Sequence, residues 1–126
     1  MLNKGVRDEE KVKIDNMLKT LLSLVFIPKF WNIEDRRLID NQLTDFDLTT
    51  AILDQIEEKD LILLLDKYEM DWTQKEQFAD FLIAYSINNQ YDFLAKAIAI
   101  YNHIQIDSKT FSFEIFNKIA TAKANL

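Results

Sequence analysis

Side chains able to perform catalysis are scarce in this chain. It has one histidine, His103, no cysteine, one glycine, Gly5, and one proline, Pro28. His103 could act as a general base only by pairing with Asp107, and no serine or glycine-rich turn is placed to supply a nucleophile or an oxyanion hole. The same spacing is typical of an ordinary histidine at a helix end. We therefore predict no catalytic residue and a protein that is not an enzyme.

Carboxylates are the remaining candidates for binding a ligand. Their spacing does not match the calcium loop of an EF-hand, and no glycine is present where that loop turns. A di-iron helical bundle needs two Glu-x-x-His motifs, which one histidine cannot supply. The sequence therefore predicts neither a metal nor a cofactor. The carboxylates in question form what we call the acidic segment: Asp54, Glu57, Glu58 and Asp60.

Negative charge is concentrated in the middle of the chain. Residues 38–80 carry three Lys or Arg against twelve Asp or Glu, a balance of -9, whereas residues 1–37 contribute +2 and residues 81–126 contribute +1 to the net -6. An acidic surface repels nucleic-acid phosphates and attracts basic proteins. Helix-capping residues and solvent-facing helix residues would produce the same excess of acidic residues without any partner. We expect no direct nucleic-acid binding, and the acidic segment is a candidate contact for a basic partner.

Apolar residues near the C-terminus fall into two stripes of one predicted helix. One stripe can enter the core, while the other must be covered by the first helix, a second subunit or a partner, or remain exposed. Packing on both sides is favoured because two members of the second stripe are small alanines. If that stripe is exposed, Phe113 and Phe116 are the candidate partner contacts. The first stripe comprises Phe111, Ile115, Ile119 and Ala122, and the second comprises Phe113, Phe116, Ala120 and Ala124.

A chain of helices must position these side chains, because glycine and proline are nearly absent. The run 61–65 (LILLL) could form a buried strand, but no second strand-like run exists to pair with it, so we predict a helix. Pro28 and the polar run 88–90 interrupt the helical pattern. Phe30 and Trp31, in the first break, could pack on a neighbouring helix or anchor a partner. Apolar residues at three- and four-residue steps predict seven helices, at about 8–25, 34–43, 48–56, 61–69, 74–87, 91–104 and 111–122.

Capping residues mark the predicted helix starts. The Thr73 hydroxyl and the Glu76 carboxylate fit a capping box, in which each satisfies a backbone N–H at the start of the fifth helix. Replacing Thr73 with alanine should then cost about 1 kcal/mol of stability. The other predicted caps are Asp45 or Asp47 for the third helix, Asp60 for the fourth, and Asp107 or Ser108 for the last.

The predicted sixth helix is apolar on nearly every side and belongs in the middle of the core. Its only polar stripe is formed by Asp92, Lys96 and His103, and we expect that stripe to face solvent. In the third helix the residues predicted to share the buried face are Leu48, Ala51, Ile52 and Ile56.

These elements predict a single all-α domain over residues 1–126, with six or seven short helices and a flexible tail over residues 1–7. Phe46, Phe78 and Phe111 recur at spacings of 32 and 33 residues, which suggests a short stack of helical hairpins. An irregular orthogonal bundle is the favoured alternative, because any chain of short helices gives similar spacings by accident.

Hydropathy indicates a soluble chain. No apolar run reaches the roughly 18 residues that span a membrane. The run 21–27 follows acidic residues and lacks a small-residue cleavage site, which argues against a secretory signal. The sequence therefore predicts a cytoplasmic protein that does not bind membranes.

The leading functional hypothesis is a non-enzymatic protein-binding module, adaptor- or scaffold-like, with an acidic central surface. One alternative is a small acidic inhibitor of the immunity-protein or antitoxin kind, which would mask a basic partner. Another is a cofactor-dependent helical enzyme, because pockets between helices cannot be seen in a sequence. The predicted partner is another protein, and a homo-oligomer is compatible with the sequence.

Overall fold

The described residues form seven helices and no strand, which confirms the predicted all-α fold, including the helix over residues 61–65. A computed structural model gives the backbone of residues 2–26, 33–88 and 92–126 and the side chains of residues 9–25, 36–87 and 92–126. Pro28, Phe30, Trp31 and residues 89–90 lie outside this described part. The helices, in chain order, are α1 (Leu2–Phe26), α2 (Ile33–Thr44), α3 (Thr50–Gln55), α4 (Glu58–Lys67), α5 (Trp72–Asn88), α6 (Leu94–Asp107) and α7 (Phe113–Ala124).

One hydrophobic core joins these helices, with α5 and α6 at its centre. Helix α5 packs against α1 and α6, and α6 also contacts α4 and α7. Because α1 packs directly on α5, four helices later in the chain, the helices form a bundle and not a stack of consecutive hairpins. Burying each large side chain stabilises the fold by about 1.5–3 kcal/mol relative to exposure. The largest fully buried aromatic residues are Phe78, Phe81, Tyr85, Phe93 and Tyr101.

The spacing of Phe46, Phe78 and Phe111 does not mark a structural repeat. The first two are buried in the core, whereas Phe111 is 60% exposed. Three residues of one repeat position would share one environment. The similar spacings are therefore accidental, as the bundle alternative requires.

Helix α1 begins at Leu2, six residues before the predicted start at Asp8. No proline precedes Asp8 to stop the helix, and Gly5 costs only about 1 kcal/mol relative to alanine inside it. The mobility of residues 1–7 stays a prediction.

No helix in the described ranges combines the length and the apolar character needed to cross a membrane. The buried face of α1 follows the predicted three- and four-residue steps: Ile14, Met17, Leu18, Leu21 and Val25.

The start of α3 differs from the prediction. Thr49 is its N-cap, with extended backbone and a hydroxyl that accepts the N–H of Ile52 at 3.1 Å. Asp45 and Asp47 both lie too early, and the φ of Asp47, 61°, is in the left-handed region, whereas an N-cap takes extended geometry. The predicted buried face is wrong at Ala51 and Ile52, which are exposed, although Leu48 is buried and Ile56 is half-buried against the core. Leu53 is fully buried, while Ile52 is 43% exposed.

Two further caps differ from the prediction. Glu57 precedes α4, so Asp60 lies within the first turn and not at the N-cap. Ser112 caps α7 by accepting a backbone N–H at 3.2 Å. Asp107 and Ser108, the predicted caps, instead lie at the end of α6. The segment between them and Ser112 is therefore a loop and not the first turn of α7.

Helix α5 begins with a capping box formed by Asp71 and Gln74, and not by Thr73 and Glu76. The Gln74 N–H donates to the Asp71 carboxylate at 2.8 Å, and the Asp71 N–H donates to the Gln74 side-chain oxygen at 3.0 Å. The sequence contains both boxes, overlapping by two residues. The earlier box forms because Gln74 is buried and its amide also donates to Asp15 of α1 at 2.8 Å.

Replacing Asp71 with alanine should lower the free energy of unfolding by about 1 kcal/mol, because a helix-start N–H loses its acceptor. Thr73→Ala is the matched control, and at this exposed position it should change stability by less than about 0.5 kcal/mol. Urea unfolding followed by circular dichroism measures both. A larger loss for Thr73→Ala would show that Thr73 caps the helix after all.

Candidate functional site

The acidic segment is exposed, as a partner contact requires. All four carboxylates lie at the surface around the connection from α3 to α4. Glu58 and Asp60 lie in the first turn of α4, where the helix dipole favours negative charge. No salt bridge to any of the four is found among the described residues. In the same part of the chain, no group of three or more Asp, Glu or His side chains is arranged to hold a metal ion.

Three phenylalanines at the start of α7 form an exposed cluster that we call the aromatic patch: Phe111, Phe113 and Phe116. These residues are 60%, 76% and 54% exposed. The Phe111 ring centre lies 4.9 Å from that of Phe113 and 6.0 Å from that of Phe116. Packing of both α7 stripes against the core, the favoured expectation, is therefore wrong. Ile115 and Ala122 are buried, while the second stripe faces solvent.

Hydrogen bonds between α6 and the start of α7 hold the aromatic patch in place. The side-chain amide of Gln105 accepts the N–H of Ser112 at 3.0 Å and donates to the Ser112 carbonyl at 3.3 Å. The Ser112 hydroxyl caps α7. Because Ser112 lies between Phe111 and Phe113, these bonds fix the backbone that carries both rings.

A second cluster lies where α4, α5 and α6 meet, and it combines a buried Lys75 with a partly exposed Asp66. The Lys75 side chain is 5% exposed, and its ammonium lies 2.5 Å from an Asp66 carboxylate oxygen and 3.0 Å from Nε2 of His103. The ammonium also lies 4.5 Å from the centre of the Trp72 ring, a cation–π contact. The His103 ring packs against the same tryptophan, with 5.6 Å between ring centres. The expectation that His103 faces solvent is wrong, because its side chain is only 10% exposed.

The contacts of His103 determine which ring nitrogen carries the proton. An ammonium can only donate, so Nε2 accepts from Lys75 and the proton lies on Nδ1, 2.9 Å from the Asp107 carboxylate. The pairing of His103 with Asp107 is therefore present, but both ring nitrogens are used within the protein. The arrangement ties three helices together and gives no support to a role as general base.

A third cluster surrounds Lys118 of α7. Its ammonium lies 2.6 Å from Glu76, 3.1 Å from Asp80 and 3.6 Å from Glu114. Burial acts to lower the pKa of Lys118, but the hydrogen bonds and charges of Glu76 and Asp80 outweigh it and raise that pKa above its ordinary value. The other Asp80 oxygen accepts the Tyr101 hydroxyl at 2.5 Å. Burial and then this carboxylate raise the pKa of Tyr101.

Comparison with known proteins identifies no family. No protein-family model matches the chain, and neither the curated proteins nor the solved structures gave a match. The function is therefore inferred from the residues and contacts of this chain alone.

Sequence reasoning found two members of the aromatic patch and missed the third. Phe111 was assigned to the buried stripe because the start of α7 was predicted too early. The second cluster, around Lys75, was missed entirely, since its members come from three helices. Only the three-residue spacing of Trp72 and Lys75 is visible locally, and that spacing is common on exposed helix faces.

Proposed function

We propose that this chain is a non-enzymatic protein-binding module that docks through the aromatic patch. The observation that supports this most directly is the contact of the Phe111 ring with both Phe113 and Phe116, because all three rings are more than half exposed. Exposed aromatic area of this kind is costly in water and is enriched where proteins bind each other. The hydrogen-bonded frame around Ser112 also reduces the ordering cost of binding, because the backbone is already held.

The acidic segment has a separate role in this proposal. Exposed carboxylates attract a basic partner over a distance and raise the association rate, but add little affinity once the complex has formed. The alternative function, an acidic inhibitor of the immunity-protein or antitoxin kind, requires the carboxylates themselves to carry the binding energy. Substitutions in the two surfaces therefore discriminate between the functions.

Replacing Phe113 and Phe116 together with serine should weaken partner binding by about a hundredfold, because two interface aromatics would lose more than about 1 kcal/mol each. The partner is isolated by co-purification from the native host, and calorimetry with purified components then measures the affinity. Leu63→Ser is the matched control, since Leu63 of α4 is 56% exposed and lies outside the patch. It should leave binding unchanged.

Charge reversal at Asp54, Glu57 and Glu58 to lysine gives the discriminating comparison. We expect the variant to associate more slowly than the wild type and to lose less of its association rate at high salt, because salt screens an attraction that only the wild type has; the affinity should change little. If the reversal abolished binding while the phenylalanine variant kept full affinity, the inhibitor function would replace the one proposed here. If the protein proved dimeric and the phenylalanine variant monomeric, the docking partner would be a second copy.

A further inference from the structure

A groove of about 570 Å³ runs between α5 and α7, beside the Lys118 cluster, and we call it the α5–α7 groove. Its walls are largely apolar, and they include Leu22, Ile83, Ile87 and Leu94. The volume lies within the range of about 300–1,000 Å³ that is typical of small-molecule sites. The aromatic patch and the acidic segment contribute no residue to this groove, so it is separate from the proposed docking surface.

The α5–α7 groove has a polar end and an apolar end. Asp80 and Lys118 lie at the polar end, and Ile87, which is 66% exposed, lies at the other. Asp80 and Ile87 are seven residues apart on α5, which corresponds to about 10 Å along the helix axis. A groove with apolar α5 residues over that length, and with its charged lining residues Asp80, Glu114 and Lys118 grouped together, fits a short amphiphile.

Charge at the polar end favours a cation. Among the lining residues, Asp80 and Glu114 carry two negative charges against the one positive charge of Lys118, which leaves a net charge of -1. An anionic head group would have to compete with these carboxylates for Lys118. Glu114, by contrast, is 75% exposed at its side chain, and among the described residues its carboxylate makes only the 3.6 Å contact with Lys118. Each Asp80 oxygen makes one hydrogen bond to a described residue and can accept another.

We propose that the α5–α7 groove binds a small amphiphile with a primary ammonium head group and an aliphatic chain. The head group lies beside the Lys118 ammonium, where its N–H groups donate to the exposed Glu114 carboxylate and to the Asp80 lone pairs that Lys118 and Tyr101 leave free. The chain lies along Ile83 and Ile87. This site is independent of the aromatic patch and of any protein bound there.

Octylammonium and octanoate test the proposal, because they share one chain and carry opposite charges. At neutral pH octylammonium should bind about tenfold more tightly than octanoate, the combined effect of two partly exposed carboxylates. Calorimetry measures the affinities. Methyl NMR locates the ligand, and the resonances of Ile83, Ile87 and Leu94 should shift.

Two variants with matched controls test the two ends of the groove. Glu114→Lys should weaken octylammonium binding by about fivefold, because an attraction is replaced by a repulsion. Glu58→Lys makes the same charge change in the acidic segment and should have no effect. Ile87→Gln should weaken binding by about threefold through lost apolar contact. Leu63→Gln is its control on α4.

Equal or tighter binding of octanoate would overturn the proposal, as would the absence of octylammonium binding at millimolar concentration. Equal effects of each variant and its control would also overturn it, since the ligand would then bind elsewhere. If the protein were a dimer and Ile87→Gln dissociated it, a second copy of the chain would cover the groove. The proposal would then be overturned. The Phe113→Ser/Phe116→Ser variant should bind octylammonium normally, so failure here and failure of the proposed docking function can be told apart.

Discussion

Replacing Asp66 with alanine should lower the free energy of unfolding by about 2 kcal/mol. The variant leaves the Lys75 ammonium, on a side chain only 5% exposed, without its anionic partner. The ring of Trp72 and Nε2 of His103 remain in contact with the ammonium, and the Asp66 side chain is itself 46% exposed, so the expected loss lies below the range of about 3–5 kcal/mol for fully buried pairs. Asp60→Ala is the matched control on the same helix, and at this exposed site it should cost less than about 1 kcal/mol.

The double variant Asp66→Ala/Lys75→Met separates charge from packing. Methionine keeps most of the apolar stem of lysine and removes the unpaired charge, so the double variant should be more stable than Asp66→Ala alone by at least about 1 kcal/mol. Urea unfolding of the two single variants and the double variant measures this coupling. Additive losses would mean that Lys75 reaches water once Asp66 is gone and that the cluster is not a buried ion pair.

Stability should fall steeply above pH 10. The pKa of Tyr101 is raised, first by burial and then by its hydrogen bond to Asp80, and the pKa of Tyr68 is raised to about 12, first by its hydrogen bond to Asp47. The pKa of Lys118 is raised as well. In the unfolded chain tyrosine and lysine lose their protons near pH 10, at about 10.0 and 10.4.

The sign of this dependence follows from the protons bound. Above pH 10 the folded state binds more protons than the unfolded state, so each such group lowers the free energy of unfolding by about 1.4 kcal/mol per pH unit until its folded pKa is reached. Below pH 9 these groups are protonated in both the folded and the unfolded state, so they do not make the free energy of unfolding depend on pH. The buried Tyr101 should dominate, because Asp47, the partner of Tyr68, is fully exposed and its pairing is screened by solvent.

Tyr101→Phe provides the test. This variant should lose about 1 kcal/mol at neutral pH with its hydrogen bond, but its stability should decline less between pH 10 and 12. Urea unfolding across this range measures the slopes, and tyrosinate absorbance of the folded protein counts the protons released. An unchanged slope in Tyr101→Phe would show that this hydroxyl ionises as readily in the folded protein as in the unfolded chain.

Local chemistry was sufficient to predict the helices and the exposure of the acidic segment. The scarcity of glycine and proline excludes most turns, and the apolar spacing in α5 and α6 places both helices within three residues of their observed bounds. Acidic residues at a helix start are stabilised by solvent and by the local helix dipole, and their exposure does not depend on contacts distant in sequence. Glu58 and Asp60 therefore occupy the surface that their sequence environment predicts.

The choice between overlapping caps depended on contacts distant in sequence. Asp71–Gln74 and Thr73–Glu76 are both valid capping boxes by local rules. Packing of α1 against α5 decides between them, because it buries Gln74 next to Asp15. The start of α7 was decided in the same way, by the hydrogen bonds from Gln105 of α6 to Ser112.

The sequence by itself determined the helical class, the approximate helix positions and the distribution of charge. Only the tertiary structure decided which polar side chains are buried and which apolar ones are exposed: Lys75 and His103 lie inside, and the aromatic patch lies outside. Periodicity identifies the faces of a helix but carries no information about which neighbour covers each face. Burial of an ammonium requires an anion, an aromatic ring and an acceptor from three helices, and these meet only when the chain folds.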